Sequence, residues 1–110
     1  MTIHDLIQAL ELRVLVEGDW SRLVTGGSCG DLLSWVMGRA LPDSAWITVM
    51  GNVNAVAVAV LADVACVVLA EDAPLDDAAR EKAEAQGVTI LQSGQSIYRL
   101  AVALGRLLGE

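Results

Sequence analysis

The feature that most constrains the fold is a pair of apolar segments that adjoin in the middle of the chain. The first runs from Ala55 to Ala62 and the second from Val64 to Ala70, with only Asp63 between them. Each half is too short to cross a bilayer, because a membrane-spanning helix needs about 20 apolar residues. Segments of this composition are therefore expected to be buried inside a folded domain.

The two segments are predicted to form the helix and the second strand of a crossover unit. Val and Ala alternate from Ala55 to Leu61, which imitates a strand, but the alanines favour a helix. The segments Ala45–Met50 and Cys66–Ala70 are predicted to be buried strands from their apolar content. Because parallel strands need a crossover connection, the segment between them is assigned to a helix.

The other predicted elements alternate in the same way. Apolar spacing and helix-start signals predict the helices, and short apolar runs predict the strands. The predicted helices are Thr2–Leu10, Leu32–Arg39, Leu75–Gln86 and Ser96–Leu108, and the predicted strands are Arg13–Val16, a strand at Val24–Thr25, and Val88–Leu91. Alternation on this scale predicts one domain over residues 1–110, an α/β three-layer sandwich with a mostly parallel five-stranded sheet.

The charge and cysteine content argue against several classes of protein. The net charge is −7, and the seven Lys and Arg residues are spread along the chain rather than forming the basic patch of a nucleic-acid binder. An acidic balance also disfavours anionic membrane surfaces. The N-terminal region carries Asp5 and Glu11 and does not read as a signal peptide, so a cytoplasmic location is expected. Cys29 and Cys66 are far apart in sequence and are not expected to form a disulfide.

A glycine-rich corner, Thr25–Asp31, is the best candidate for a binding site. It lies between a predicted strand and a predicted helix, and open α/β sheets bind ligands at such places. Asp31 is predicted to be the N-cap of that helix. The corner matches neither GxGxxG nor GxxxxGK[ST] and offers no lysine to a phosphate. A structural turn is therefore the favoured interpretation, and a phosphate cradle is the alternative.

Three further residues are candidates for the same cleft. Arg22 either contacts an anionic ligand or pairs with Asp31 or Asp19, and pairing is favoured because acids outnumber bases by 14 to 7. Asn52 and Asn54 follow a predicted strand, although as turn and cap residues they also have a complete structural explanation. The predicted ligand contacts are Arg22, Thr25, Gly26, Gly27, Asp31, Asn52 and Asn54.

The sequence shows no catalytic constellation. His4 is the only histidine, and with Asp5 alone it does not make a metal site. Cys29 lies within the glycine-rich corner but has no local base to activate it. Cys66 is predicted to be a small core residue. We therefore expect a protein that is not an enzyme and that has no cofactor and no metal.

The corner also carries a resemblance to a known family. The chain is similar to the DRTGG domain, which is related to the N-terminal domain of HPr kinase/phosphorylase, and the resemblance spans about Ile3 to Leu108. It implies a layered α/β fold and a regulatory or oligomerising role, without the separate kinase domain that carries the catalysis of HPr kinase/phosphorylase. Ser21 stands where the family has an acidic residue. The matching residues are Arg22, Thr25, Gly26 and Gly27, followed by DLLSWVM and then by VMGNVNAVAVAVLADVACVVLAED.

Two functions of different classes are compatible with these observations. The first is a non-catalytic regulatory module that forms a homodimer, because 55% of the residues are hydrophobic in so short a chain. Its expected contacts are the helix around Trp35, the segment Asn52–Val60 and the turn at Trp20. The second is a sensor that binds a nucleotide or a phosphorylated metabolite at the glycine-rich corner. The related N-terminal domains of muramoyl-peptide ligases, which hold a uridine nucleotide, support it. Whether Trp20, Trp35 and Trp46 lie in the core or in an interface is left open.

Overall fold

A sheet of five strands with helices on both faces forms the molecule. The computed structural model describes all 110 residues. The strands follow the order β1-β5-β4-β3-β2, in which β2 to β5 are parallel and β1 is antiparallel to β5. The predicted α/β fold with a mostly parallel five-stranded sheet is confirmed. The elements are α1 (Ile3–Leu10), β1 (Arg13–Val16), β2 (Gly26–Cys29), α2 (Leu33–Arg39), β3 (Ser44–Thr48), α3 (Val53–Ala62), β4 (Cys66–Leu69), α4 (Asp77–Gln86), β5 (Ile90–Gln92) and α5 (Ile97–Leu107).

The sheet divides the apolar core into two halves. Successive side chains of a strand point to opposite faces. Ile47 and Val68 therefore pack on the side of α1 and α5, whereas Trp46 and Val67 pack on the side of α2, α3 and α4. Every residue of β3 and β4 is buried, as expected of central parallel strands. None of the five helices combines the length and the apolar content that crossing a membrane requires.

The segment Ala55–Leu61, whose alternating Val and Ala residues imitate a strand, lies in the crossover helix α3, as predicted. The side chain of Asn52 caps its first turn by accepting a hydrogen bond of 2.8 Å from the N–H of Ala55. The helix ends at Ala62, and the C-cap residue Asp63 adopts a left-handed conformation with φ 56°. Burial on several sides explains why the segment has no polar face.

The glycine-rich corner is itself a strand, which corrects the predicted strand at Val24–Thr25. Gly26–Cys29 pair in parallel register with Ser44–Ile47 of β3. Glycine weakens a strand, but here it allows a close approach. A Cβ added at Gly27 would lie 2.8 Å from Cδ2 of Leu104 on α5. Packing of α5 against β2 therefore explains why glycine, which is disfavoured in strands, occurs at this position.

Other boundaries differ from the predicted ones by a few residues. Helix α4 begins at Asp77 rather than Leu75, because Asp76 takes the extended conformation of an N-cap residue. Strand β5 begins at Ile90 rather than Val88. Gly87 follows the last turn of α4 in the left-handed conformation, with φ 70°, which glycine adopts readily.

Candidate functional site

Arg22 lies at the amino end of the parallel strands. Its Nη2 donates to Oδ1 of Asp43 at 2.9 Å, and to Oδ1 and the backbone carbonyl of Asp63 at 3.0 and 2.7 Å. Asp43 and Asp63 precede β3 and β4, and both have positive φ. The favoured pairing of Arg22 with acids is therefore present, but its partners are not Asp31 or Asp19. The guanidinium therefore joins the two loops that precede β3 and β4.

The same contacts determine the ionisation of Arg22. Partial burial acts to lower the pKa of the guanidinium, but the hydrogen bonds to Asp43 and Asp63 outweigh it, so its pKa is raised. Thr25 also lies at this end, where its N–H donates to the carbonyl of Asp43 at 2.9 Å. Arg22 and Thr25 thus have structural partners at the amino end of the sheet.

Asp31 lies at the opposite, carboxyl end and is not the N-cap of α2. Its Oδ1 accepts from Oγ1 of Thr48 at 2.7 Å and from the N–H of Val49 at 3.0 Å. The N-cap residue is Leu32, which makes no side-chain capping bond. The two donors at the end of β3 therefore bind the Asp31 carboxylate, which was predicted to cap α2. Asn52 caps α3, and Asn54 is exposed in the first turn of that helix.

A cavity of about 420 Å³ lies between β2 and α2. The segment Gly27–Asp31 forms one wall, and the residues of the α2 side form the other: Leu32, Trp35, Val36, Arg39 and Ala40. Of the predicted ligand contacts, Gly27 and Asp31 line this cavity, and the others do not. The structure therefore does not bring the predicted set together in one place, and ligand binding by these residues stays a prediction.

The cation of the cavity is Arg39, which sequence reasoning did not select. Its guanidinium carbon lies 3.6 Å from the centroid of the Trp35 ring, within the range of a cation–π contact. The Trp35 side chain is 55% exposed. The signal was present in the sequence, since residues four apart on a helix are neighbours. Trp35 and Arg39 have this spacing on a helix that was predicted.

Neither cysteine is activated as a nucleophile. Cys29 lines the cavity, but burial of the thiol and the nearby Asp31 carboxylate raise its pKa. Burial raises the pKa of Cys66 to about 12, although Arg22 acts to lower it. The thiolate is the reactive form, so both side chains are poor nucleophiles at neutral pH. No group of three or more His, Cys, Asp and Glu side chains is placed to hold a metal ion.

The three tryptophans have three different environments. Trp46 is fully buried, and its indole N–H donates to the carbonyl of Gly30 at 3.0 Å. Trp20 is partly buried, with its ring centroid 6.0 Å from that of His4. Trp35 is the exposed one. Packing in the core therefore explains the presence of Trp46, but it does not explain why Trp35 is exposed.

Exposed apolar side chains concentrate on the layer formed by α2 and α3. Six of the ten large hydrophobic residues that are exposed lie in or next to these helices. We call this set the α2–α3 surface: Leu32, Trp35, Met37, Leu41, Val60 and Leu61. Exposed apolar patches of more than a few hundred Å² mark sites of interaction.

These features define an α/β three-layer domain with a cavity beside an edge strand. A solved structure of similar fold contains the CBS and DRTGG domains of the regulatory region of Clostridium perfringens pyrophosphatase, complexed with the activator diadenosine tetraphosphate. The TM-score is 0.76 over 94% of this chain, at 7% sequence identity. This chain covers 45% of that one, so it matches less than half of it.

At this identity the likeness shows the fold alone. It confirms that the fold is DRTGG-like, whereas the relation to HPr kinase/phosphorylase stays a prediction. No protein-family model matches the chain, and no curated protein does.

Proposed function

We propose that the chain is a non-catalytic regulatory module that acts as a homodimer. The observation that carries this proposal is the α2–α3 surface, where large apolar side chains are exposed to water. A DRTGG-containing regulatory region has a similar fold, which supports the regulatory role. Two-fold dimers are the commonest soluble oligomers, and a second copy is always present at the concentration of the first.

The distribution of charge favours this surface as the contact. Helices α2 and α3 together carry one charged side chain, that of Arg39. Helix α4, on the same face of the sheet, carries five: Asp77, Arg80, Glu81, Lys82 and Glu84. The central part of an interface is depleted of charge, whereas a solvated helix is rich in it. The α2–α3 surface therefore has the composition of an interface, and α4 has that of a solvent-exposed face.

We expect sedimentation equilibrium at micromolar concentration to give about twice the chain mass of 11.6 kDa. Trp35→Asp should raise the dissociation constant of the dimer at least tenfold, because it places a charge within the apolar contact. The matched control is Tyr98→Asp, since Tyr98 is an aromatic residue that is 76% exposed on α5, on the other side of the sheet. A wild-type chain that remains monomeric at high concentration would contradict the dimer.

The second candidate function is a sensor of a nucleotide or a phosphorylated metabolite. The cavity between β2 and α2 favours it, because its volume of about 420 Å³ lies in the range of small-molecule sites. The exposed face of Trp35 suits a nucleobase, and the guanidinium of Arg39 suits a phosphate. The Asp31 carboxylate, which repels anions, is partly compensated by its donors Thr48 and Val49. The nucleotide activator of the pyrophosphatase regulatory region lends support to this class of ligand.

A thermal-shift measurement with ATP, diadenosine tetraphosphate and inorganic phosphate tests this function. At a concentration of a hundred times the dissociation constant, a ligand is expected to stabilise the fold by about 2.7 kcal/mol. Arg39→Gln should abolish the shift that the ligand causes. Arg22→Gln should lower the unfolding temperature of the free protein but should leave the shift unchanged. If none of the three probes shifts the unfolding temperature, the sensor for nucleotides and phosphate is refuted. If Arg22→Gln abolishes the shift and Arg39→Gln does not, the ligand binds at the residues predicted from the sequence.

A further inference from the structure

The sheet has two free edges, and the edge at β1 is protected against pairing. The register of β1 with β5 shifts between Val14 and Val16. The carbonyl of the intervening Leu15 accepts a hydrogen bond of 2.5 Å from Nη1 of Arg80 on α4. Arg13 adds a charged side chain held by Asp72 and Gln92. Irregular register and charged side chains are the means by which edge strands avoid pairing with other chains.

The edge at β2 has none of these features. Gly26–Cys29 contain no charge and no proline, and their register with β3 is regular. The N–H of Gly30 donates to the carbonyl of Ile47 on the β3 side. Because successive residues of a parallel strand alternate in direction, the N–H and C=O groups of Gly27 and Cys29 point to the free edge. An unprotected row of backbone donors and acceptors is a template for another strand.

We infer that two copies of the chain pair antiparallel through their β2 edges and join their sheets into one, which presupposes the homodimer proposed above. Charge favours a second copy as the occupant. From Gly26 to Arg39 the one acidic residue is Asp31, so this edge brings two chains of net charge −7 together with little repulsion. A strand that pairs with itself across a two-fold axis also satisfies its own donors and acceptors.

The course of α2 makes this pairing complementary. The helix runs back along β2, from the carboxyl end at Asp31 to the amino end at Arg39, and both residues line the cavity between them. A two-fold axis through β2 therefore brings the Asp31 end of one copy towards the Arg39 end of the other. Trp35, in the middle of α2, lies nearest to the axis. The cavity then lies at the junction of the two copies, where it is covered rather than open to water.

Amide hydrogen exchange at two protein concentrations tests this pairing. The N–H groups of Gly27 and Cys29 should exchange at least tenfold more slowly above the dissociation constant than below it, and the amides of β1 should not change. If sedimentation reports a dimer but Gly27 and Cys29 exchange at the same rates at both concentrations, the β2 edge is refuted and the dimer stands. If sedimentation reports a monomer, both proposals fail.

Cys29→Pro provides an independent test, because it removes an N–H group that points away from β3. Cys29→Ala is the matched control, since it also removes the thiol that lines the cavity. A folded Cys29→Pro chain should dimerise at least tenfold more weakly than Cys29→Ala. Equal dimerisation of the two variants would overturn the inference. If the proline variant does not fold, the exchange measurement on the wild-type chain still tests the inference.

Discussion

Replacing Gly51 by alanine is expected to destabilise the fold by about 3 kcal/mol, at the upper end of the cost of overpacking. A Cβ at Gly51 would lie 2.0 Å from the carbonyl oxygen of Pro74 and 3.2 Å from Cα of Leu75. These are backbone atoms, which cannot rotate away as a side chain does. The carbonyl of Gly51 also accepts a hydrogen bond of 2.8 Å from the N–H of Asp76, so the two loops are held together. Urea unfolding at one protein concentration measures the loss.

The matched control is Gly105→Ala in α5. A Cβ at Gly105 would meet no atom within 4 Å, so alanine fits without displacing anything. Alanine favours a helix over glycine by about 0.8–1.0 kcal/mol, and the control should therefore stabilise the chain. A Gly51→Ala variant within about 0.5 kcal/mol of the wild type would contradict the close contact between the two loops.

The fold was predictable because the sequence features that indicate it either act locally or belong to the alternation of helices and strands along the whole chain. The apolar content of Ala55–Ala70 requires burial, and the need for a crossover then assigns its first half to a helix. The caps of α1 and α5 follow from Thr2 and Ser96, whose side chains accept from the N–H groups of Asp5 and Arg99. Local rules of this kind act within a few residues, so one sequence is sufficient to apply them.

The details of the glycine-rich corner were not predictable because they depend on distant residues. A side chain at Gly27 would displace the end of the Leu104 side chain, 77 positions later. Asp31 leaves the helix terminus because Thr48 and Val49 offer two donors at the end of the next strand. Composition shows that glycine and aspartate are present, but it does not show which distant residues meet them.

The placement of the cations shows the same limit. Arg22 is next to the glycine-rich corner in sequence, but the parallel sheet places its partners, Asp43 and Asp63, at the opposite end from Asp31. Arg39 is farther away in sequence and lies at the cavity, because α2 folds back along β2. Distance along the chain is therefore a poor guide to which cation serves a site in a crossover fold.

The tryptophans give the second large effect, because Trp46→Ala is expected to cost about 3–5 kcal/mol of unfolding free energy. Trp46 is completely buried on β3, an interior strand of the sheet, and it has the largest side chain of the buried residues. Truncation leaves a cavity that the surrounding strands cannot close. It also removes the indole N–H that binds the carbonyl of Gly30, a residue held at φ 150°. The end of β2 should loosen with the core, which exchange of the Gly30 amide would report.

Trp35→Ala is the matched control for Trp46→Ala, since the same side chain is truncated at an exposed position. Below the dissociation constant of the dimer, the loss for Trp35→Ala should stay within about 0.5 kcal/mol, as for surface positions in general. Above that concentration the loss should grow, because the proposed interface then contributes to stability by mass action. Denaturant unfolding at two concentrations separates the two contributions. Equal losses for Trp35→Ala and Trp46→Ala at the lower concentration would contradict the assignment of Trp46 to the core and of Trp35 to the interface.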